Sequence, residues 1–534
     1  MSTMIDPVTN TDQQPTVSKP LLVIGLVLVV LITGYGHLLH SGFFHDDAYI
    51  TLRYSQNWLA GSGVSWNAGE RVEGYTSFLH LAAVTLLGVL RLDLVTASQL
   101  IGLASYAGIC WLALYHFRSS TGSFLSLRQL LLLLTVVASY PLIAWSYGGL
   151  ETSLVTLLVM CASYSFVATN DESNKRMLLL GSLFALACLA RPDVGLLVAI
   201  TLVFLLFPRE GKRSSKLAIL IFLAGFALLY LPYFCWRSWY YGELLPNTFH
   251  AKMTGIDWFR LRTGGHYVHT FARLGPFLLP TTLVASLFLY CRGKWSWKTG
   301  YMLSLVVGHT AYIIYTGGDH MPAYRFFIPV IPLMGWIIAN AGSEYLQHGR
   351  LPAWSISGLA ILLVSAQAFT GNERMLNSQR LDPAAAVGAD MGHWLAETLP
   401  TGSVVALNTA GSTPYYAKQL VFIDMLGLND KVIAHRRDVP MRTRWQRYPG
   451  HAKGDGQYVL SRQPAIIILG PAEGLTADPT NATKKDVVWF LSDQEIAESP
   501  EFARQYQRQQ VTFKGHSGEQ RTLIYYQRQP AAGS

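Results

Sequence analysis

Long apolar segments recur along this chain from residue 21 to residue 370. Hydrophobic residues make up 51% of the sequence and charged residues only 14%, against about 25% charged residues in a typical soluble domain. Several segments are shorter than the roughly 20 residues that an upright transmembrane helix needs. We therefore expect a polytopic α-helical membrane protein with about eleven spans, some of them tilted or broken around a polar cavity.

Basic residues in the connecting loops set the predicted orientation. The loops at 118–128, 208–216 and 291–298 are rich in lysine and arginine, and the positive-inside rule assigns such loops to the cytoplasm. All of them reach that side if the apolar run at 77–90 lies along the outer surface instead of crossing. The net charge of +9 then requires no nucleic-acid partner. Residues 1–20 are polar, and we expect a disordered cytoplasmic tail.

The composition changes near residue 371, where proline, glutamine and charged residues become more frequent. A helix-like stretch at 385–399 precedes short β-type runs at 403–407, 420–423 and 465–469. Strands that alternate with helices predict an α/β domain with a small sheet. An odd number of spans makes residues 371–534 a periplasmic α/β domain and residues 21–370 the transmembrane catalytic domain.

Two adjacent carboxylates, Asp46 and Asp47, directly follow the first apolar segment. Charged groups are costly at the mouth of a transmembrane helix and are usually functional there. At the membrane surface this pair can reach the head group of a lipid-linked substrate, either as a catalytic base or as ligands of a divalent cation. The alternative is structural, with Asp46 as the N-cap of a following helix and Asp47 interacting with the helix dipole.

Further polar residues are predicted on the same outer face. The loop at 66–76 combines carboxylates, an arginine and aromatic rings, a mixture suited to sugars and phosphates. The candidate substrate-binding residues of this loop and of three later loops are Glu73, Tyr75, Glu151, Asn247, His250, Asp319 and His320. Structural alternatives remain open, including a helix cap for Glu151 and an ion pair between Asp319 and Arg325.

Three cations on this face are candidates for binding the phosphate group of a donor. Arg191 lies at the tip of a short hairpin, where a guanidinium group can hold a phosphate through two hydrogen bonds. Lys252 offers a point charge, and Arg325 lies at the predicted outer end of a span. For Arg191, a structural ion pair with Asp193 is the alternative.

Other function classes receive less support from the sequence. It has no G-x-S-x-G, H-E-x-x-H, Walker or zinc-binding pattern, which disfavours hydrolases, metalloproteases and ATPases, and no nucleotide cofactor is expected. The segments 408–416 and 424–430 follow predicted strands, where α/β folds often build sites, so they are candidates for acceptor binding or for loop packing. A transporter or flippase of lipid-linked sugars is the alternative function, although two similar halves are more typical of transporters.

The chain resembles the GT-C class of membrane glycosyltransferases and, within it, the mycobacterial terminal β-arabinofuranosyltransferase family AftB. The motifs are HDDAY (45–49), RVEGYT (71–76), GLET (149–152), LPNT (245–248), GGDHMPAYRF (317–326) and DMLGL (424–428). The resemblance covers most of the chain, from residue 46 to about residue 469. It implies a GT-C fold and an acidic residue of the first loop as general base.

The resemblance also implies the substrates and the location. The donor is a polyprenyl-phosphate-linked sugar, with arabinofuranose as the first candidate, and the acceptor is a cell-envelope glycan. Transfer takes place on the periplasmic side of the bacterial inner membrane.

Overall fold

The computed structural model of the chain describes most of the sequence. The described residues are 19–117, 126–137, 139–168, 172–207, 214–252, 258–274, 277–348, 382–442, 444–448, 450–471, 488–516 and 518–530. The apolar run predicted as a span at 354–369 and nearly all of the predicted tail at 1–20 lie outside these residues.

The described part of residues 19–348 is helical. Its helices are α1 Lys19–His40, α2 Asp46–Leu59, α3 Phe78–Val89, α4 Leu94–His116, α5 Leu127–Val136, α6 Tyr140–Tyr147, α7 Thr152–Ala168, α8 Asn174–Ala190, α9 Gly195–Leu206, α10 Lys216–Tyr241, α11 Asn247–Lys252, α12 Trp258–Leu274, α13 Leu278–Cys291, α14 Trp297–Thr316 and α15 Ile331–His348. Short 3₁₀ helices at Pro192–Val194 and Arg325–Val330 precede α9 and α15.

Several of these helices can cross a membrane. Among the described residues, 4 are long and apolar enough, and the number rises to 6 if each of two bent helix pairs is one span. The bent pairs are α5 with α6, at 56°, and α12 with α13, at 76°. The chain is thus a multi-pass membrane protein. The sequence-based total of about eleven spans also counts shorter helices, and it stays a prediction.

Glycine residues allow two of the long helices to approach closely. A Cβ atom at Gly181 of α8 would lie 2.0 Å from the carbonyl oxygen of Phe222, and one at Gly225 of α10 would lie 2.3 Å from that of Leu178. Small residues of this kind let the backbones of membrane helices pack against each other. The contact fixes α10, and the loop after α10 leads toward the candidate site.

The described part of residues 382–530 forms an α/β unit around a five-stranded sheet with the strand order β2-β1-β3-β5-β4. Its strands are β1 Val404–Leu407, β2 Val421–Asp424, β3 Ile466–Ile467, β4 Tyr506–Lys514 and β5 Gln520–Arg528. Its helices are α16 Pro383–Thr398, α17 Ser412–Tyr416, α18 Lys431–His435, α19 Gly456–Ser461, α20 Leu491–Glu498 and α21 Pro500–Gln505, with a 3₁₀ helix at Arg444–Arg447. β1 pairs in parallel with β2 and β3, whereas β5 is antiparallel to β3 and β4.

The segment between α1 and α3, which includes α2, packs into this α/β unit. Tyr54 of α2 and Trp66 of the loop after it share one hydrophobic cluster with Val405 and Phe422 of the sheet. Arg53 donates hydrogen bonds to backbone carbonyls of both parts, and its guanidinium carbon lies 5.1 Å from the centroid of the Phe422 ring. A helix does follow the acidic pair, as α2, and it is buried under the α/β unit.

Candidate active site

The acidic pair lies in the first turn of α2. The N-cap is His45, whose Nδ1 accepts a hydrogen bond from the backbone amide of Asp47 at 3.2 Å. The structural alternative that made Asp46 the N-cap is therefore wrong. Both carboxylates lie at the positive end of the helix dipole, which favours their ionised forms.

Asp46 is bonded to the α/β unit. Its carboxylate accepts hydrogen bonds from the backbone amide and the hydroxyl group of Ser412, both at 2.8 Å, and the residue is only 5% exposed. The Asp46 backbone amide donates to Asp382 at 3.2 Å. Burial raises the pKa of Asp46 to about 7, although the hydrogen bonds from Ser412 act in the opposite direction. These contacts make Asp46 a positioning residue that joins α2 to the α/β unit.

Asp47 is more accessible than Asp46 and lies among basic side chains. Burial raises the pKa of the Asp47 carboxyl, but four basic neighbours outweigh burial and bring the pKa below its usual value. These neighbours are His45, His320, Lys252 and Arg325. Asp47 is therefore an ionised carboxylate at neutral pH.

Two of the three predicted phosphate ligands have carboxylate partners. Nε of Arg325 lies 2.8 Å from Asp319, and Arg191 donates two hydrogen bonds of 2.9 Å to Asp193. Burial raises the pKa of Asp319, but Arg325, His320 and the backbone amide of Met321 together outweigh burial, and the resulting pKa is about 2. Within the described ranges, the Lys252 ammonium group has no carboxylate at ion-pair distance, and its side chain is exposed to the cavity. Lys252 is thus the cation with the most capacity for an anionic ligand.

A cavity of about 910 Å³ between the membrane helices and the α/β unit collects these groups. The predicted site residues that line it are Asp46, Asp47, Tyr75, Glu151, Arg191, Lys252, Asp319, His320 and Arg325. Segments after the three parallel strands form another wall through Asn408, Leu426, Leu428 and Pro471. The carboxyl edge of parallel strands is a common ligand-binding position.

Three predicted substrate-binding residues do not line the cavity. Glu73 forms an ion pair with Arg237. Asn247 donates hydrogen bonds to the backbone carbonyls of Gly427 and Leu428, both at 2.9 Å. The ring of His250 contacts the ring of a histidine of the α/β unit at a tilt of 30°, with centroids 4.2 Å apart. These side chains hold elements together, and the structure does not bring them to the site.

The Glu73–Arg237 pair yields a prediction about stability. Both residues are buried, and Glu73 also accepts a hydrogen bond from Tyr233 at 3.1 Å. Arg237→Met leaves a buried carboxylate without a cation, which we expect to lower the free energy of unfolding by about 3–5 kcal/mol. Adding Glu73→Gln to this variant removes the unpaired charge and recovers most of the loss. Thermal unfolding in detergent measures the effect, and equal unfolding temperatures for the single and double variants contradict a structural pair.

The divalent cation expected at Asp46 and Asp47 stays a prediction. Among the described residues, no third carboxylate, imidazole or thiol brings a ligand atom together with those of this pair. Asp47 moreover has basic neighbours, and Asp46 is bonded to Ser412. The residues thus do not supply the set of several oxygen ligands that hard divalent cations prefer.

Sequence reasoning missed two groups at the site. Asp382, the N-cap of α16, lies 3.5 Å from Nε2 of His45, and the only signal for it is an Asp-Pro pair typical of a helix start. The second group is aromatic. Trp445, Tyr448 and Trp489 line the cavity from the α/β unit, and the two indole rings stack with centroids 4.9 Å apart. Aromatic residues in a polar segment are the signal that could have indicated this wall.

Known structures identify the fold. ArnT from Cupriavidus metallidurans, solved bound to undecaprenyl phosphate, matches with a TM-score of 0.56 and 13% identity, over 95% of this chain and 98% of ArnT. The oligosaccharyltransferase of Archaeoglobus fulgidus matches with a TM-score of 0.51 and 11% identity, over 74% of this chain and 64% of that enzyme. At these identities the likeness shows the fold alone. The class is therefore that of membrane proteins with the GT-C fold.

The chain is also similar in sequence to proteins of known name. Proteins named terminal β-(1→2)-arabinofuranosyltransferase match from Mycobacterium tuberculosis, at 31% identity over 276 residues, and from Corynebacterium glutamicum, at 29% over 342 residues. The matches cover 49% and 54% of this chain but 42% and 46% of the relatives, so the chain spans less than half of their length. A domain of unknown function, DUF8728, matches residues 374–525. About half of the chain is thus similar in sequence to these arabinofuranosyltransferases, which confirms the predicted resemblance.

Proposed function

We propose that this protein is a glycosyltransferase that moves a sugar from a polyprenyl-phosphate donor to a hydroxyl group of a cell-envelope glycan. The main observation behind the proposal is that one cavity is lined by Asp47 together with Lys252, Arg191 and Arg325. A carboxylate beside several cations suits a reaction in which a hydroxyl group loses a proton while a phosphate leaves.

The proposed step is a displacement at the anomeric carbon of the donor sugar. The Asp47 carboxylate accepts the proton of the acceptor hydroxyl group while the acceptor oxygen bonds to the anomeric carbon. The bond between that carbon and the phosphate oxygen breaks, and polyprenyl phosphate leaves with the electron pair. Lys252 stabilises its growing charge, with help from the guanidinium groups of Arg191 and Arg325.

Donor binding also changes the pKa of the proposed base, Asp47. Basic neighbours hold the pKa of the Asp47 carboxyl below its usual value in the free protein. A bound phosphate compensates the charge of these neighbours, so the pKa of Asp47 rises when the donor is present. A higher pKa makes the carboxylate a stronger base at the moment when the acceptor must lose its proton.

The proposal extends to the location and to the two substrates. We assign the protein to the inner membrane of a bacterium, with residues 21–370 as the catalytic domain and residues 371–534 as a periplasmic domain that helps to bind the acceptor. The donor tail lies between membrane helices. The undecaprenyl phosphate bound to ArnT supports a polyprenyl-phosphate donor, and the names of the sequence relatives support arabinofuranose as its sugar.

Purified protein in lipid nanodiscs tests the proposed function. The substrates are a polyprenyl-phosphate-linked arabinofuranose and an arabinose-containing oligosaccharide. We expect mass spectrometry to detect an oligosaccharide that has gained a pentose, together with free polyprenyl phosphate. A flippase instead moves the intact lipid across a vesicle bilayer. Lipid movement without any new glycosidic bond overturns the proposal.

A further inference from the structure

Three side chains with metal-binding atoms meet beside the cavity. Glu243, His250 and His435 each offer one such atom, and these atoms lie within 4.8 Å of one another. The two imidazole centroids are 4.2 Å apart, and Nε2 of His435 lies 3.9 Å from Oε1 of Glu243. None of the three residues lines the cavity. The cluster is therefore separate from the proposed active site.

The three side chains come from three different elements. Glu243 follows α10, which is capped by Gly242 in a left-handed conformation, and His250 lies on α11. His435 is the last residue of α18 in the α/β unit. Because α11 packs against α18, the cluster lies where the membrane part of the chain meets the α/β unit.

The orientation of His435 is that of a metal ligand. Its Nδ1 lies 2.9 Å from the backbone carbonyl oxygen of Lys431. A carbonyl oxygen can only accept, so Nδ1 carries a proton, and Nε2, on the side of Glu243, is the ring nitrogen through which His435 can bind a metal. Histidines that bind metals almost always donate their second ring N–H to a carbonyl, a carboxylate or water in this way.

A positive group already occupies the position next to Glu243. Nζ of Lys431 lies 2.5 Å from Oε1 of Glu243, and the lysine side chain is 48% exposed. The contact places one positive charge at this carboxylate. Because the lysine is long and half exposed, it can turn into solvent when another cation binds.

We propose that Glu243, His250 and His435 bind a Zn²⁺ ion, with water as the fourth ligand. Two imidazoles and one carboxylate form a ligand set typical of zinc, whereas Mg²⁺ and Ca²⁺ prefer oxygen ligands. The ion fastens α11 to the α/β unit, and α11 ends at Lys252, so the site fixes the helix that carries this lysine of the cavity. The binding test is independent of the proposed sugar transfer.

Zinc binding to the purified full chain in detergent tests the proposal, with the free Zn²⁺ concentration set by a chromophoric chelator. We expect one tight site and a higher unfolding temperature with zinc. His435→Ala and Glu243→Gln weaken the affinity by about 100-fold or more, since loss of even an outer-shell partner costs about 10–100-fold. Lys431→Met removes a competing positive charge and raises the affinity about tenfold.

His393→Ala is the matched control. The ring of His393 also contacts that of a histidine, His516, with centroids 4.4 Å apart, but this pair belongs to no three-ligand cluster in the described part of the chain. We expect this variant to bind zinc like the native protein.

The proposal is overturned if the native chain lacks a tight zinc site, if both ligand variants keep the native affinity, or if Lys431→Met does not bind zinc more tightly. Circular dichroism checks folding, and the two ligand variants affect separate elements, so one misfolded variant leaves the other informative.

Discussion

Replacing Asp47 with asparagine is expected to lower the rate of sugar transfer by about 10²–10⁴-fold, the range that general-base assistance contributes. Asparagine keeps the size of the side chain but cannot accept the proton of the acceptor hydroxyl group. The same replacement at Asp46 is expected to lower the rate of sugar transfer by less than about tenfold. The asparagine oxygen at position 46 still accepts the hydrogen bonds from Ser412 that hold α2 against the α/β unit.

The two variants form a matched pair, because the residues are neighbours and the chemical change is identical. Initial rates at saturating donor and acceptor measure the effect, and unfolding temperatures show whether each variant is folded. A larger loss for Asp46→Asn than for Asp47→Asn reverses the assignment. In that case Asp46, with its pKa of about 7, is the base. Full activity in both variants excludes the pair from the chemistry.

The parts of the fold that local sequence determines are predictable. Apolar runs indicate the membrane helices, and α16 and β1 to β3 overlap the helix-like stretch and the β-type runs seen in the sequence. The β4–β5 hairpin is not predicted. In β4, glutamine, arginine and lysine predominate over aliphatic residues, and most of its side chains are at least partly exposed. Its strand structure depends on pairing with β5, which the composition of β4 alone does not indicate.

The candidate site, like the fold, can be predicted from the sequence only in part. Asp47, Lys252 and Arg325 are recognisable in the sequence because charges at the ends of apolar runs are rare. Which charges face a substrate depends on long-range partners. Ser412 lies 366 residues from Asp46, and Arg237 lies 164 residues from Glu73. A single sequence does not reveal such pairs, so a residue held by its partner and a residue free to bind a ligand have the same sequence signal.

Replacing Lys252 with methionine is expected to lower the transfer rate by about 10²–10³-fold, the usual cost of removing one group that stabilises developing negative charge. The effect is large because Arg191 and Arg325 are already partly compensated by Asp193 and Asp319. Lys252→Arg keeps the charge but changes its shape and hydrogen-bonding geometry, so we expect it to recover only part of the rate. Rates measured against donor concentration distinguish these variants.

Free polyprenyl phosphate, the leaving group itself, separates phosphate binding from a general loss of structure. We expect it to inhibit Lys252→Met much more weakly than the native protein, with similar unfolding temperatures for both. Lys418→Met is the matched control, because Lys418 is an exposed lysine of the α/β unit outside the cavity, and its rate and inhibition should be native. If inhibition of Lys252→Met is also native, the ammonium group does not bind the phosphate. The charge of the leaving group is then stabilised by the two arginines, despite their carboxylate partners.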